Sequence, residues 1–338
     1  MTNPRWTRRP EDSTWGDWGP DDQLGRLNLI DDAKRREGAA EVREGRAFCL
    51  SLPLDKPGGT ILNKRRHPPE LRPTSLDGRP FFNAHFAEPG EGPTDVVCDD
   101  LAILHLQYST QWDALAHVGH WFDADGTGPS KRYYNGFTEA DMQAGATPDA
   151  PSRATKLGIE GMAAHGVQGR RVMLDLRRHY GDDHQAIGYD QVMRVMEADG
   201  VEVSPGDMLC IHTGFADRVM THQGPPTKAL LHGTCCSLNG RDEALKRWIV
   251  DSGVAVLAAD NYAVEAYPAR PGEDPCCAAL PLHELCLFKL GVHLGELWHL
   301  TPLAEWLRAN GRSRFLLTAP PLRLPGAVGS PLTPIATV

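Results

Sequence analysis

The sequence lacks the long apolar segments that membrane and secreted proteins carry. It has no run approaching the roughly 18 consecutive apolar residues that form a membrane-spanning helix. Its N-terminal stretch, MTNPRWTRRPEDSTWGDWG, has no apolar core of the kind that a secretion signal requires. These absences predict a cytoplasmic protein without a membrane partner.

Basic stripes and regularly spaced cysteines are missing as well. The formal net charge is -9, and basic residues occur in runs of at most three, such as Lys64-Arg65-Arg66, which is typical of a solvated loop. We therefore expect no nucleic-acid partner. The eight cysteines form neither a C-x-x-C nor a C-x-x-C-H motif, which argues against a thiolate zinc site, a haem attachment and a disulfide framework.

Motifs for nucleophilic or nucleotide chemistry are also absent. There is no G-x-S-x-G, and neither a P-loop nor a G-x-G-x-x-G opens a helix. Ser237 has no nucleophile elbow around it. Cys235 and Cys236 follow His232, but their tandem apolar setting is typical of packing.

The chain divides into a loop-rich start and a patterned remainder. Residues 1–95 are rich in Pro, Gly and Arg, with one strand candidate at 47–54, and predict an irregular N-terminal arm that packs on the core. Residues 95–107, DVVCDDLAILHLQ, have the pattern of an extended, half-buried chain. We expect residues 96–338 to form one structural unit with the arm.

Helix and strand patterns alternate after residue 150. They predict helices at 154–167, 188–200, 241–253 and 281–291, and strands at 171–176, 207–214, 254–262 and from 314 to the prolines at 320. Repeated helix-to-strand units favour a sheet covered by helices. The fold class is thus α/β, a single compact domain with a mixed sheet.

The stretch STQWDALAHVGHWFD, residues 109–123, carries the densest group of candidate ligands. If Gln111 to Asp113 is extended, these two side chains share a face, and a following helix could present His117 back toward them. Carboxylate, amide oxygen and imidazole are competent ligands for Zn²⁺ or Mn²⁺. The alternative is an N-capping Asp113 and a histidine without a ligand role.

Several ordered blocks resemble one family. They are WGPDDQLGRLNLI (18–30), STQWDALAHVGHWFD, YNG (134–136), PGDMLCIHTG (205–214), PLHELCLFKLGVHLGELWHL (281–300) and the closing APPLRLPGAVGSPLTPIATV. Together they resemble the metal-dependent cyclase-like hydrolases, which include bacterial kynurenine formamidases, isatin hydrolases and polyketide cyclases, over residues 15–338. The resemblance implies a swivelling β/α/β domain, a divalent Mn²⁺ or Zn²⁺ ion and a homodimer or homotetramer.

The resemblance also assigns site residues. The family pattern His-x-Gly-Thr-His-x-Asp, with a further His four residues later, places the metal-binding Asp on Asp113 and the later histidine on His117. Its two other histidines fall on Gln107 and Gln111, so the implied metal ligands are Asp113, Gln111 and Gln107. An amide oxygen in place of an imidazole favours harder ions such as Mn²⁺ and weakens affinity.

A late histidine and glutamate complete the site that the resemblance implies. They correspond to His283 and Glu296, which with His117 form the predicted catalytic set. His283 could instead be a capping or core histidine. Glu296 lies in the apolar stretch VHLGELWHL, where a carboxylate needs a partner, and a structural arginine is the alternative to a metal.

Further polar and aromatic side chains are predicted to contact the substrate, with packing or capping as the alternative for each. They are Trp112, His120, Trp121, Phe122, His212 and Asp260.

The function predicted from these features is metal-dependent hydrolysis of a small, ring-bearing molecule. The resemblance implies cleavage of an amide, cyclic amide or imide, or lactone bond by metal-activated water. Two alternatives remain open. One is a metal-free cyclase or lyase acting on a polyketide-like substrate, with His117 as base. The other is a catalytically silent small-molecule binder that has lost its ligands at Gln107 and Gln111.

Overall fold

Helices and short strands alternate along most of the chain. The computed structural model describes residues 5–87, 90–269, 271–272 and 277–338. The α-helices are α1 Asp32–Ala40, α2 Ile159–His165, α3 Leu176–Tyr180, α4 Tyr189–Asp199, α5 Phe215–Thr221, α6 Lys228–Gly233, α7 Glu243–Ser252, α8 Pro281–His283 and α9 Thr301–Ala309. Helix α8 continues directly into a π-helical segment, Glu284–Leu290. Short 3₁₀ turns occupy Gly25–Leu29, Tyr134–Gly136 and Glu139–Asp141.

The strands fall into one large sheet and several two-stranded ladders. In chain order they are β1 Ala47–Cys49, β2 Glu70–Pro73, β3 Ser75–Leu76, β4 Arg79–Pro80, β5 Ala84–His85, β6 Val96–Val97, β7 Asp100–Ile103, β8 Gln111–Asp113, β9 His120–Phe122, β10 Ser130–Arg132, β11 Met142–Gln143, β12 Arg153–Ala154, β13 Gln168–Asp175, β14 Gln185–Ile187, β15 Met208–His212, β16 Cys236–Leu238, β17 Val256–Ala259, β18 His293–Glu296, β19 Arg314–Thr318, β20 Gly329–Pro331 and β21 Ile335–Thr337.

The large sheet has nine strands in the order β1-β21-β19-β13-β15-β17-β18-β8-β20. Its four central strands, β13, β15, β17 and β18, are parallel, as expected for strands joined by helical crossovers. The outer pairs are antiparallel. The predicted α/β domain with a mixed sheet is therefore confirmed.

Alternating side chains of the central strands pack into two separate apolar layers. Leu209 and Ile211 of β15 share a buried cluster with α4 and α7, whereas Met208 and Cys210 share another with α2 and α9. A sheet buried on both faces explains why its strands are almost continuously apolar in sequence.

Local sequence signals fix several helix ends. Helix α7 begins after Asp242, whose carboxylate accepts the backbone N–H of Leu245, and it ends at Gly253 in the left-handed region. Helix α4 likewise ends at a left-handed glycine, Gly200. The predicted helices at 188–200 and 241–253 are confirmed within a few residues.

Two strands are shorter than predicted, and the segment after residue 96 is more exposed than predicted. The strands predicted at 47–54 and 254–262 extend only over Ala47–Cys49 and Val256–Ala259. The extended segment after residue 96 is not half-buried, because β7 has all of its residues exposed. It forms a ladder with β2 instead of joining the large sheet.

Residues 5–95 contribute to the core as well as covering it. Strand β1 pairs with β21 at the edge of the large sheet. Trp15 is fully buried, and its indole N–H donates to the Phe288 carbonyl at 2.7 Å. No helix in the described ranges combines the length and apolar composition needed to cross a bilayer.

Gly295 in β18 occupies a position with no room for a side chain. A Cβ added there would lie 2.7 Å from Cβ of Ala258, 2.8 Å from Nε1 of Trp298 and 2.9 Å from Cζ3 of Trp112. Because these neighbours belong to the packed core, Gly295→Ala should destabilise the protein by about 1–3 kcal/mol. Gly233→Ala is the matched control, since nothing lies near its Cβ position. Urea unfolding measures both variants, and equal midpoints would contradict the predicted crowding.

Candidate metal and active site

Two antiparallel strands bring the first site residues together. In the β8–β18 ladder, Gln111 lies opposite Glu296, and Asp113 lies opposite Leu294. Directly opposed residues project from the same face of a sheet, and residues two apart share that face. Gln111, Asp113 and Glu296 therefore converge, and the predicted extended conformation at 111–113 is confirmed.

His283 joins this group through a glutamate on a strained turn. Glu265 accepts the backbone N–H groups of Leu282 and His283 at the start of α8, and its Oε1 lies 2.9 Å from Nδ1 of His283. The residue before it, Val264, has φ of 60°, which is costly for a β-branched side chain. Backbone strain thus accompanies the placement of Glu265 beside His283.

The resulting cluster is compact and shielded from solvent. Asp113, His283 and Glu296 each offer a ligand atom, and these atoms lie within 4.8 Å of one another. Nε2 of His283 is 3.3 Å from Oε1 of Glu296 and 3.9 Å from Oδ2 of Asp113. Asp113 has no solvent exposure.

Burial and mutual interaction shift the acidities of all three groups. Burial raises the pKa of Asp113, and the Glu296 carboxylate raises it further. His117 and His283 lower it, but the net shift is upward. Burial would also raise the pKa of Glu296, but the hydrogen bond and charge of His283 lower it overall. Burial disfavours a protonated His283, yet Glu265 and Glu296 raise its pKa to about 10.

The chemistry of the donor set fits a divalent cation. Three carboxylates, Asp113, Glu265 and Glu296, surround one imidazole, so the cluster stays negative even when His283 is protonated. Oδ2 of Asp113 and Oε1 of Gln111 are buried and have no hydrogen-bond partner among the described residues. A cation would compensate the excess charge and bind the unpartnered Asp113 oxygen, whose desolvation is otherwise uncompensated.

The two glutamines behave differently from simple ligands. Gln111 presents its amide N–H groups to the site, with Nε2 3.1 Å from Oδ1 of Asp113 and 3.5 Å from Oε2 of Glu296. A half-turn of its amide would exchange nitrogen for oxygen and turn a donor into a ligand. The side-chain amide nitrogen of Gln107 is buried without a partner in the described structure, whereas the backbone carbonyl of Gln107 accepts a hydrogen bond from the Arg66 guanidinium.

His117 lies beside the cluster, but no helix presents it. The prediction of a helix after Asp113 is wrong, because the backbone N–H groups there form other bonds. Ala114 donates to the Val328 carbonyl, Ala116 donates to the Leu157 carbonyl, and His117 donates to the Ala114 carbonyl in a turn. Nε2 of His117 is 3.8 Å from Oδ1 of Asp113, and the side chain is 21 % exposed. It is the member of the group that reaches toward solvent.

The predicted aromatic substrate contacts do not converge on the cluster. Trp112 points away from Asp113 into the core, where its ring meets Trp298 edge-on at 4.9 Å and its N–H donates to Ala319. Trp121 is 64 % exposed. Phe122 packs edge-on against Trp15.

His120 and His212 have acidic neighbours outside the cluster. Nε2 of His120 lies 3.7 Å from Glu284. His212 is fully buried between Asp175, 2.7 Å from its Nδ1, and the Thr301 hydroxyl, 2.9 Å from its Nε2.

Asp260, predicted with His212 as a substrate contact, is also engaged in the fold. It accepts the backbone N–H groups of Thr213 and Gly214 and the Thr213 hydroxyl, each at 2.7 Å. These bonds tie the end of β17 to the turn after β15, which is the capping role that the sequence left open for this residue.

Two contributors escaped sequence reasoning. Glu265 lies in NYAVEAYP, after an apolar strand, and its position at the carboxyl end of β17 was the available signal. Arg66 was interpreted as part of a solvated loop, but its charge lowers the pKa of both Asp113 and Glu296. Its position depends on the return of the chain at Gln107, which no local pattern encodes.

An apolar cavity of about 330 Å³ adjoins the segment that carries Asp113 and His117. Ala116 of that segment lines the cavity. Val328 lines it as well, and the backbone carbonyl of Val328 accepts the N–H of Ala114. Other lining residues include Leu106, Tyr133, Met142 and Ala154. A cavity of this size and polarity suits a ring or a short acyl group.

Comparison with solved structures identifies the fold. A structure described as a novel cyclase is 32% identical, with a TM-score of 0.77, over 96% of this chain and 97% of that chain. Isatin hydrolase A from Labrenzia aggregata is 13% identical, with a TM-score of 0.55, over 87% of this chain and 93% of that chain. Isatin hydrolase A from Ralstonia solanacearum is 16% identical, with a TM-score of 0.52, over 86% and 91%.

Family models agree with the structural comparison. Residues 50–266 match the model of the family described as "putative cyclase". A comparison with curated proteins gives no significant match. The isatin hydrolases share the fold, and the resemblance seen in the sequence blocks is confirmed. The chain belongs to the cyclase family.

Proposed function

We propose that the protein is a divalent-metal-dependent hydrolase that cleaves an amide, cyclic amide or lactone bond of a small molecule. The observation that carries the proposal is the buried group of ligand atoms from Asp113, His283 and Glu296, all within 4.8 Å. Two carboxylate oxygens and one imidazole nitrogen suit Mn²⁺ or Zn²⁺. In this proposal His283 and Glu296 bind the metal, whereas the sequence predicted them as catalytic residues.

Each protein group has a defined task in such a site. When bound, the ion supplies Lewis acidity, which polarises a carbonyl and lowers the pKa of a water molecule. Glu265 keeps the proton of His283 on Nδ1 and leaves Nε2 free to bind. Gln111 orients Asp113 through its amide N–H. His117, partly exposed and 3.8 Å from Asp113, carries a proton between the reacting groups and solvent.

The apolar cavity favours a substrate with an uncharged ring or acyl group. Ala116, the residue before His117, lines this cavity. Burial of such a group contributes binding free energy in proportion to its apolar area.

One observation favours a second candidate function. Both ring nitrogens of His283 lie within hydrogen-bond reach of carboxylates, and its pKa is raised to about 10. A histidine protonated on both nitrogens cannot bind a metal. The cluster would then be a metal-free ion-pair network, and His117 would act as the base of a cyclase or lyase. Metal content separates the two functions.

The first prediction concerns metal content. Protein purified without chelator and loaded with Mn²⁺ or Zn²⁺ should retain one ion per chain, because three buried ligands hold it. Asp113→Asn should lose that ion, since it removes a charged ligand from the group. Glu284→Gln is the matched control, because Glu284 is next to His283 in sequence but outside the ligand group. Mass spectrometry of the metal measures all three proteins, and wild type that binds neither ion would exclude the metal-dependent reaction.

A second prediction concerns stability without metal. Because the folded-state pKa of Asp113 is raised, wild-type stability falls as the pH rises through that pKa. The neutral Asp113→Asn avoids this cost and should unfold at a higher temperature than wild type in EDTA at pH 8. The difference should shrink as the pH falls through the raised pKa of Asp113, because the side chains of both proteins are then neutral. A less stable variant at pH 8 would show that the Asp113 charge is already compensated.

The third prediction concerns turnover. A screen of formamides, cyclic amides and lactones with added Mn²⁺ or Zn²⁺ should identify a substrate. On that substrate, His117→Asn should lower kcat by about 10²-fold or more while the metal content stays unchanged. His120→Asn is the control, because His120 faces Glu284 and not Asp113. An unchanged kcat for His117→Asn would remove its proton-transfer role but leave metal binding intact.

A further inference from the structure

A second group of polar side chains lies at the carboxyl edge of the large sheet, where β17 separates it from β18 and the candidate metal cluster. Asp175 is the last residue of β13 and His212 is the last residue of β15, and the two lie opposite each other in the parallel ladder. Thr301 reaches them from the start of α9. Because open α/β sheets bind ligands outside the carboxyl ends of their parallel strands, this group lies where the fold offers a site.

The three side chains form a continuous hydrogen-bonded series. Nδ1 of His212 lies 2.7 Å from Oδ1 of Asp175, and Nε2 of His212 lies 2.9 Å from the Thr301 hydroxyl oxygen. The imidazole is fully buried, whereas Asp175 and Thr301 are 7 % and 6 % exposed. A hydroxyl, an imidazole and a carboxylate in this order form the arrangement that activates a hydroxyl as a nucleophile.

The charge of Asp175 sets the direction of these hydrogen bonds. Burial would raise the pKa of Asp175, but the hydrogen bond and charge of His212, together with the charge of Arg308, lower it overall, so the side chain is a carboxylate at neutral pH. Because a carboxylate only accepts hydrogen bonds, it holds the proton of His212 on Nδ1. Nε2 of His212 then accepts the proton of the Thr301 hydroxyl, which has no other partner among the described residues.

Thr301 and His212 line a cavity of about 500 Å³. In the described structure, none of the metal-cluster residues Asp113, His283 and Glu296 lines it, so the cavity is separate from the candidate metal site. Most of the remaining wall is charged, and it consists of Arg177, Arg178, Asp182, Asp217, Glu305 and Arg308 together with a glycine. A charged wall favours a small polar ligand, in contrast to the apolar cavity described above.

The start of α9 supplies donors for acyl chemistry beside the Thr301 hydroxyl. The first N–H groups of a helix have no acceptor within it and carry a partial positive charge. Helix α9 has nine residues, and the backbone N–H groups of Thr301 and Leu303 donate to no acceptor in the part of the chain that the structure describes. They are available to an oxyanion that forms where the hydroxyl attacks a carbonyl group.

We propose that Thr301 and His212, with Asp175 as the positioning residue, form a second catalytic site that hydrolyses small carboxylic esters without a metal. Oγ1 of Thr301 attacks the ester carbonyl carbon, and its proton passes to Nε2 of His212. The bond from the carbonyl carbon to the alkoxy oxygen breaks, and the departing alcohol takes the proton from His212. Water then attacks the acyl-threonine and gives a proton to His212, which returns it to Thr301 as the carboxylic acid leaves. Esters are the expected class because an alcohol leaves more readily than an amine.

Acylation by p-nitrophenyl acetate in the presence of EDTA tests the proposal on the full chain. Wild type should release p-nitrophenolate in a rapid burst and gain the mass of one acetyl group, which peptide mass spectrometry should place on Thr301. Asp113→Asn should give the same burst, because Asp113 belongs to the other site. An acetyl group on a different residue, no acetyl group at all, or a burst that Asp113→Asn abolishes would overturn the proposal, and none of these results bears on metal binding by the Asp113 cluster.

Variants of the hydroxyl separate a nucleophile from a structural threonine. Thr301→Val keeps the shape of the side chain and should abolish the burst, whereas Thr301→Ser restores a hydroxyl and should retain it. Thr318→Val is the matched control, because the Thr318 hydroxyl bonds to the Gln168 side chain on the surface, and it should acylate like wild type. His212→Gln should slow acylation by about 10²-fold or more. Circular dichroism checks the folding of each variant, and a burst that survives in folded Thr301→Val would overturn the proposal.

Discussion

Three carboxylates buried around one imidazole form the interaction on which the site depends. Removing Asp113, Glu265 and Glu296 from water is costly, and the single His283 ring cannot compensate all of that charge. Nearby features reduce the cost. Gln111 donates to two of the carboxylates, the backbone at the start of α8 donates to the third, and Arg66 lowers the pKa of Asp113 and Glu296. The negative charge that remains is the physical reason to expect a cation there.

Packing on the opposite face of β8 and β18 supports this cluster rigidly. Behind β8 and β18, the rings of Trp112 and Trp298 meet edge-on, and Gly295 leaves the space that they fill. The site residues project from one face of these strands and the indoles from the other, so packing on the core side fixes the backbone that carries the ligands. Strain at Val264 is tolerated because Asn261 and Glu265, on either side of it, are hydrogen-bonded in place.

Sequence patterns predict correctly those elements whose structure depends on neighbouring residues in the chain. The apolar strands, the caps at Asp242 and Gly200, and the extended run through Asp113 follow from neighbouring residues, and so does the position of the large sheet in the chain. Alternation along β8 alone should have placed Trp112 on the face opposite Asp113. Glu265, Arg66 and the turn at His117 are set by contacts with distant segments. The exposed β7 has the same apolar pattern as a half-buried strand, but in the described part of the chain no layer covers it.

The position of β8 has a consequence for the order of folding. Strand β8 is hydrogen-bonded between β18 and β20, both of which are synthesised long after it. During translation, the segment with Asp113 is therefore made before β18 and β20, the two strands with which it pairs. Contacts this distant in sequence form slowly. The ligand cluster can accordingly assemble only after Glu296 has been synthesised, late in translation.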